Sequence, residues 1–348
     1  MKKPLVECVP NISEGRDLEA VERIVDAVRA IDGCTVLGVE PDHDYNRTVI
    51  TFAGEPEPVM KGALALILKS IDELDMRTHK GEHPRLGVVD VCPFVPLRDV
   101  TMDEAASLAR QTMDEVSKVK EVPLFLYGAA ATHDDRFLLS ALRKGEYEGL
   151  EARLTGKESP HSDSTRFPDA GSIEWTEMAS KSGGITIGAR SILVAYNVNI
   201  DETDAKTAKK IGSIVRSSGR LLKSDAGVKI RTNGMLPMVQ GMGVMLEELG
   251  ISQVSMNLRD VSQCPLHLAY MACKSVSNDH NVDVIGSEIV GLVPLSAMLQ
   301  SGAYFSPEES EEERLVEAAI EGLGLNERHH FDPRKGIIEW ALRGEVSE

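Results

Sequence analysis

Apolar and polar positions alternate along the first hundred residues in a readable order. Leu5-Val6-Glu7-Cys8-Val9 predicts a short strand stopped by Pro10, and the polar stretch Asn11 to Asp17 leads into Leu18, Val21, Ile24, Val25 and Val28 at helical spacing. Gly33 ends that helix. Cys34 to Val39 and Thr48 to Phe52 predict two strands, and Val59, Ala63, Leu66, Ile67 and Ile71 mark a second helical stripe. The apolar run from Gly87 to Cys92 predicts a buried fourth strand. The resulting β-α-β-β-α-β order is the ferredoxin-like pattern, so four strands are expected in one antiparallel sheet with both helices on one face.

Thr101-Met102-Asp103-Glu104 is a capping box that opens a third helix to about residue 119, and Val122 to Tyr127 predicts a further strand. Residues 128–170 are less regular, with short helices expected near 136–143 and 146–154. Gly183 to Arg190 reads as a glycine-rich turn running into a strand over 191–199. A helix near 203–217, strands near 236–247 and 252–258, a helix near 265–280 and an apolar run at 283–293 then repeat the first order without residue-level similarity. The expected fold class is α+β: two ferredoxin-like subdomains, 1–200 and 201–348, with a ligand cleft or tunnel between them. The acidic run at 306–313 is a helix start or a solvated stretch and carries no assigned function.

At 348 residues and 42% apolar content, two compact subdomains suit the chain better than disorder. A formal charge of −17 argues against a nucleic-acid partner, because neutralising phosphates needs a basic surface. An anionic small molecule would then have to be held by local cations. The five cysteines form no C-x-x-C pair and read as buried free thiols. The N-terminus has no apolar h-region and no stretch has the length of a membrane span, so a cytoplasmic location is expected.

The densest chemistry lies in Arg77-Thr78-His79-Lys80-Gly81-Glu82-His83-Pro84-Arg85, directly before the fourth strand. His79 and His83 stand four apart, a zinc spacing on a helix, but Gly81 and Pro84 oppose a helix there. A histidine at the mouth of a strand beside three cations suits proton transfer next to an anionic substrate. The bland alternative is a loop of solvated charges. The connection Glu40-Pro41-Asp42-His43-Asp44-Tyr45-Asn46-Arg47 is either an ordinary Asp- and Asn-rich turn or part of the same site. The segment Gly183-Gly184-Ile185-Thr186-Ile187-Gly188-Ala189-Arg190, followed by Ser191 and Ile192, is no dinucleotide fingerprint, because it precedes a strand instead of opening a helix.

Seven stretches give the chain a resemblance to a known family. They are E-C-V-P-N-I-S-E-G-R at 7–16, N-R-T-V at 46–49, H-K-G-E-H-P-R at 79–85, D-V-C-P-F-V-P at 90–96, a loose G-x-T-x-G-A-R within 182–190, V-Q-G-M-G at 239–243 and G-S-E-I-V-G-L-V-P at 286–294. In these residues the chain resembles the formiminotransferase family, the glutamate formimidoyltransferases, which in animals form the first half of formiminotransferase-cyclodeaminase. The resemblance implies transfer of a formimino group from N-formiminoglutamate to N5 of tetrahydrofolate in histidine degradation. It implies His83 as general acid/base, tetrahydrofolate as co-substrate along Gly183 to Ile192, and a homodimer. No cyclodeaminase half is expected, since the chain ends soon after the transferase region.

Glu40, Arg47, Arg85 and Arg190 are candidates for binding substrate, the arginines because a guanidinium fork matches a carboxylate. Glu40, Asp42 or Glu82 would orient His83 or meet a cationic amidine, and no metal is expected. Gly188→Val is expected to weaken folate binding with the fold intact, because glycine lets backbone approach a flat ligand. Two rival readings remain: a metal-dependent amidine hydrolase using Asp42, His43, Asp44, His79 and His83, and a folate-binding module without turnover.

Overall fold

A computed structural model describes residues 3–43, 45–81, 84–157, 166–224, 227–246 and 249–344. The chain divides into two compact units, Met1–Ser191 and Ile192–Glu348.

In the first unit, β1 (Leu5–Cys8) and β2 (Asn11–Ile12) are two pieces of one strand line, interrupted at Val9 and Pro10. Proline lacks the amide proton needed to continue a ladder. Helix α1 (Leu18–Arg29) starts at Asp17, whose side chain accepts the Ala20 N–H, and of the predicted stripe it buries Val21, Ile24, Val25 and Val28 but leaves Leu18 exposed. Strands β3 (Cys34–Asp42) and β4 (Arg47–Gly54) form a hairpin. Helix α2 (Pro56–Glu73), strand β5 (Val89–Arg98) and helix α3 (Met102–Val119) follow, the last opened by the Thr101/Glu104 capping box. β4 pairs with β3 on one side and with β1 and β2 on the other, and these pair with β5, all antiparallel. This is the ferredoxin-like arrangement.

The sheet is larger than the four antiparallel strands expected. β6 (Leu124–Gly128) and β7 (Ile185–Ala189) extend it beyond β5, and both β5–β7 and β6–β7 are parallel. Ile185 to Ala189 is thus a strand, not a turn, and the next strand starts only at Val194. Between β6 and β7 run α4 (Leu139–Arg143), α5 (Leu150–Leu154) and α6 (Glu177–Ser182). The main core lies between the sheet and α1–α3. A smaller cluster of Leu86, Val91, Phe125, Tyr127, Leu142, Leu150 and Leu154 covers part of the other face.

The second unit repeats the order with β8 (Val194–Ile200), α7 (Ala205–Val215), an exposed hairpin β9 (Arg220–Lys223) and β10 (Lys229–Thr232), then β11 (Val239–Leu246), β12 (Ile251–Leu258), α8 (Leu266–Asp279) and β13 (Val284–Val290). Its sheet runs β11-β12-β8-β13 with every pairing antiparallel. Helices α9 (Leu295–Phe305), α10 (Glu312–Leu323), α11 (Pro333–Gly336) and α12 (Ile338–Gly344) complete the unit, and α10 begins inside the acidic run. All five cysteines are buried and free of disulfides, and burial pushes the Cys34 thiol up to about 12. No helix among the described residues is long and apolar enough to cross a membrane.

Candidate active site

Three loops of the first unit meet at Asn46. Its backbone is left-handed at φ 48, a conformation asparagine tolerates better than most residues, and the residue is buried. The Asn46 carboxamide oxygen accepts the Gly15 N–H at 3.0 Å, its amide donates to the Lys80 carbonyl at 2.9 Å, and its own carbonyl lies 2.8 Å from His79 Nε2. Close backbone contacts explain the glycines. A Cβ on Gly15 would stand 2.3 Å from the Asp42 carbonyl, and one on Gly81 2.3 Å from the Tyr45 carbonyl. N-I-S-E-G-R, N-R-T-V and His79 to Gly81 at the start of the charged loop are therefore one packed junction. Glu14 adds to it by accepting the N–H groups of Gly15, Arg16 and Asp17.

His79 is spoken for at both ring nitrogens. Nε2 donates to the Asn46 carbonyl, so Nδ1 is the acceptor, and it takes a hydrogen bond from Arg85 Nε at 3.2 Å. Burial lowers its pKa first, the Asn46 hydrogen bond opposes that, and the Arg85 charge lowers it further. The neutral ring is the folded form, so its stabilising contribution is complete above about pH 6.5, the unfolded value, and is lost as pH falls below it. The melting temperature is accordingly expected to drop below about pH 6.5. His79→Gln should flatten that part of the profile, and an unchanged slope would remove His79 as its source.

Arg85 is buried and committed within the protein. Its Nη1 and Nη2 meet Glu148 at 2.8 and 2.7 Å, and Nη1 also reaches Glu146 at 3.3 Å. This guanidinium, His79, Lys80, Gly81 and the turn Gly145 to Glu148 line a cleft of about 650 Å³. Past it the chain is anchored again: Asp90, buried and paired with Arg143, accepts the Leu86 N–H at 3.0 Å, and the Leu86 carbonyl accepts the Gly184 N–H at 3.0 Å. The loop is thus fixed on both sides of positions 82 and 83. Asp44, Glu82 and His83 themselves lie outside the described residues.

The other candidates spread over the sheet face opposite α1–α3. Glu40, Val49, Asn11 and Val91 form one row across β3, β4, β2 and β5. Desolvation raises the Glu40 carboxyl and the Arg47 charge opposes it. Arg47 donates to the Asn11 side chain at 3.1 Å and lies over the Tyr45 ring. Asp42 accepts the Tyr45 N–H, and the His43 carbonyl accepts from Arg16. Among the described residues no group of three His, Cys, Asp or Glu side chains could hold a metal ion.

The glycine-rich segment is tied into the protein. Gly183, at φ 65, and Gly87 face each other so closely that a Cβ on Gly183 would stand 2.6 Å from the Gly87 Cα. Thr186 donates its hydroxyl to the Asp90 carbonyl. A Cβ on Gly188 would come within 2.4 Å of the Tyr127 ring. The close approach at Gly188 is therefore to Tyr127, and Gly188→Val is expected to damage the fold itself. Overpacking of this kind typically costs about 1–3 kcal/mol. A denaturant midpoint equal to that of the unsubstituted protein would refute it. Residues 183–189 are buried, whereas Arg190, Ser191 and Ile192 are half-buried, with Arg190 donating to the Ser191 carbonyl at 3.0 Å.

Sequence reasoning had not singled out Asn46, Glu146, Glu148 or the Asp90–Arg143 pair. The local sequence carries no signal for Asn46, whose side-chain partners are 31 and 34 residues away. Glu146 and Glu148 fall where a short helix is expected near 146–154, whereas α5 starts only at Leu150 and leaves them in the turn before it.

Comparison with known proteins places the chain. Residues 5–190 match the formiminotransferase domain, N-terminal subdomain, and residues 195–343 match the formiminotransferase domain. A formimidoyltransferase-cyclodeaminase from Dictyostelium discoideum is 40% identical over 98% of this chain and 61% of its own length. One from Rattus norvegicus is 39% identical over 97% of this chain and 60% of its own length, so the chain spans about three fifths of these relatives. A glutamate formimidoyltransferase from Streptococcus pyogenes serotype M1 is 34% identical over 86% of this chain and 93% of its own length. With one family model on each compact unit, and with the junction of loops built from the stretches that carried the resemblance, the chain belongs to the formiminotransferase family.

Proposed function

We propose that this chain transfers a formimino group from N-formiminoglutamate to N5 of tetrahydrofolate, a step of histidine degradation, with His83 as general acid/base. Folate N5 attacks the formimino carbon, a tetrahedral adduct forms, and the bond from that carbon to the glutamate nitrogen breaks. The attacking nitrogen loses a proton and the leaving nitrogen gains one. One histidine can carry both transfers in turn. No covalent enzyme intermediate is needed, which agrees with five cysteines all buried in the fold.

The observation that supports this most is the anchoring of the H-K-G-E-H-P-R loop. Asn46 and Arg85 hold its His79, Asp90 and Gly184 hold Leu86, and a cleft of about 650 Å³ opens beside it. Arg190, Ser191 and Ile192 are the part of the glycine-rich segment with surface left for folate. Glu40 and Arg47 remain substrate-binding candidates, and Arg85 acts by fixing His79 and the cleft wall. The metal-hydrolase reading is weaker, because both nitrogens of His79 are engaged by protein groups.

The direct test incubates the pure protein with tetrahydrofolate and N-formiminoglutamate, and follows the methenyl product optically after acidification. Absence of transfer would sink the reading. A cytoplasmic homodimer goes with it, since two sheets with open edges favour burial against a second copy. Light scattering is expected to give twice the monomer mass at micromolar concentration, and a monomer would refute the dimer.

A further inference from the structure

We propose that Glu146 recognises the positive charge of the donor's amidine, with Glu148 and Arg85 holding it in position; the proposal rests on the transfer reading above. A formimino group attached to nitrogen is an amidine, cationic at neutral pH. The corresponding formyl compound is a neutral amide of nearly the same shape. A site that tells them apart needs a carboxylate whose charge is not already cancelled.

The cleft wall supplies one by simple counting. Arg85, with a side chain only 8% exposed, carries one positive charge, and Glu146 and Glu148 carry two negative ones against it. His79 does not restore the balance, since burial and the neighbouring guanidinium favour its neutral ring and both nitrogens are occupied. Arg77, at the cleft edge, is paired with Asp75. Lys80, also at the cleft, forms no ion pair with either glutamate. The trio is left with one net negative charge.

The two glutamates are not equivalent. Glu148 spends both carboxylate oxygens on Arg85, at 2.8 and 2.7 Å, and that pairing holds its carboxyl below the usual range. Glu146 gives Arg85 one oxygen at 3.3 Å, its side chain is 42% exposed, and its second oxygen makes no hydrogen bond within the described residues. Arg85 is thus neutralised by Glu148, and Glu146 is available to a ligand. An amidinium N–H donating to that oxygen forms a charge-assisted hydrogen bond that a formyl oxygen cannot make.

The test compares the donor with its neutral analogue in the full-length protein. Glu146→Gln is expected to raise KM for N-formiminoglutamate roughly 10- to 100-fold, the range of one charge-assisted hydrogen bond. The inhibition constant of N-formylglutamate, measured in competition, should stay within about twofold. That split separates charge recognition from collapse of the cleft, which would weaken both compounds together. Glu146→Asp keeps the charge and is expected to recover most of the lost affinity for the cationic donor. Parallel weakening of both compounds, or an unchanged KM in Glu146→Gln while the wild-type protein transfers normally, would overturn the assignment to Glu146 alone. A wild-type protein with no transfer from formiminoglutamate would overturn the functional reading and this proposal with it.

Discussion

Replacing His83 with alanine is expected to lower turnover by roughly two to four orders of magnitude while folate binding changes little. The expectation rests on its place in the H-K-G-E-H-P-R loop, which is tied down on both sides of positions 82 and 83. His79→Ala should cost far less, within about tenfold, because the ring it removes bridges a carbonyl and a guanidinium by ordinary hydrogen bonds. Steady-state kinetics on the two variants, with metal analysis of each, separates the readings. Equal losses accompanied by release of stoichiometric zinc or manganese would reject the acid/base role and favour the hydrolase.

Asn46→Ala is expected to be the most damaging change outside His83. It strands the Gly15 N–H and the Lys80 carbonyl in a buried junction, and it puts alanine at a left-handed φ of 48. Each stranded group costs about 1–3 kcal/mol and the backbone about 1–2 more, so a loss on the order of 3–8 kcal/mol is expected. Activity should also fall where the variant remains folded, since the side chain that joins the Gly15 and Lys80 backbones is gone, although the main-chain carbonyl that meets His79 remains. Asn46→Gly keeps the backbone free and should recover only the backbone part, while Asn46→Asp retains the acceptor for Gly15 and loses the donor to Lys80. Denaturant midpoints for the three variants read these differences. Wild-type stability in Asn46→Ala would remove Asn46 as the organiser of the junction.

Much of this architecture is legible along the chain. Helices α1, α2 and α3 follow from apolar spacing and capping residues, because a one-sided burial pattern leaves a period in the sequence. Strand β7 was hidden for the same reason. It is buried throughout and so shows no alternation, and Gly183 and Gly184 before it and Gly188 within it mimic a turn, although they answer to Leu86, Gly87 and Tyr127 pressing on them. The hairpin β9–β10 also went unread, being short and exposed. The charged loop and the family stretches mark where the candidates lie, but even inside those stretches the roles of Asn46 and Asp90 are not legible. The residues missed, Asn46 above all, act through contacts whose partners lie dozens of residues away, and neither periodicity nor composition records such a pairing.

The strand line formed by β1 and β2 sits between β4 and β5, and β5 in turn is joined by β7. The earliest residues of the unit therefore depend on partners made much later: Val6 pairs with Gly54 and Pro96, and Phe94 with Ala189. During synthesis the first sheet stays incomplete until residue 189 has left the ribosome. At a translation speed of about 5–20 residues per second, apolar β1 and β5 wait on the order of ten seconds with an open edge. Such long-range pairing slows folding and prolongs exposure to association with other nascent chains. Yield of active protein should respond to chaperone supply and growth temperature more than the finished fold's own stability would suggest.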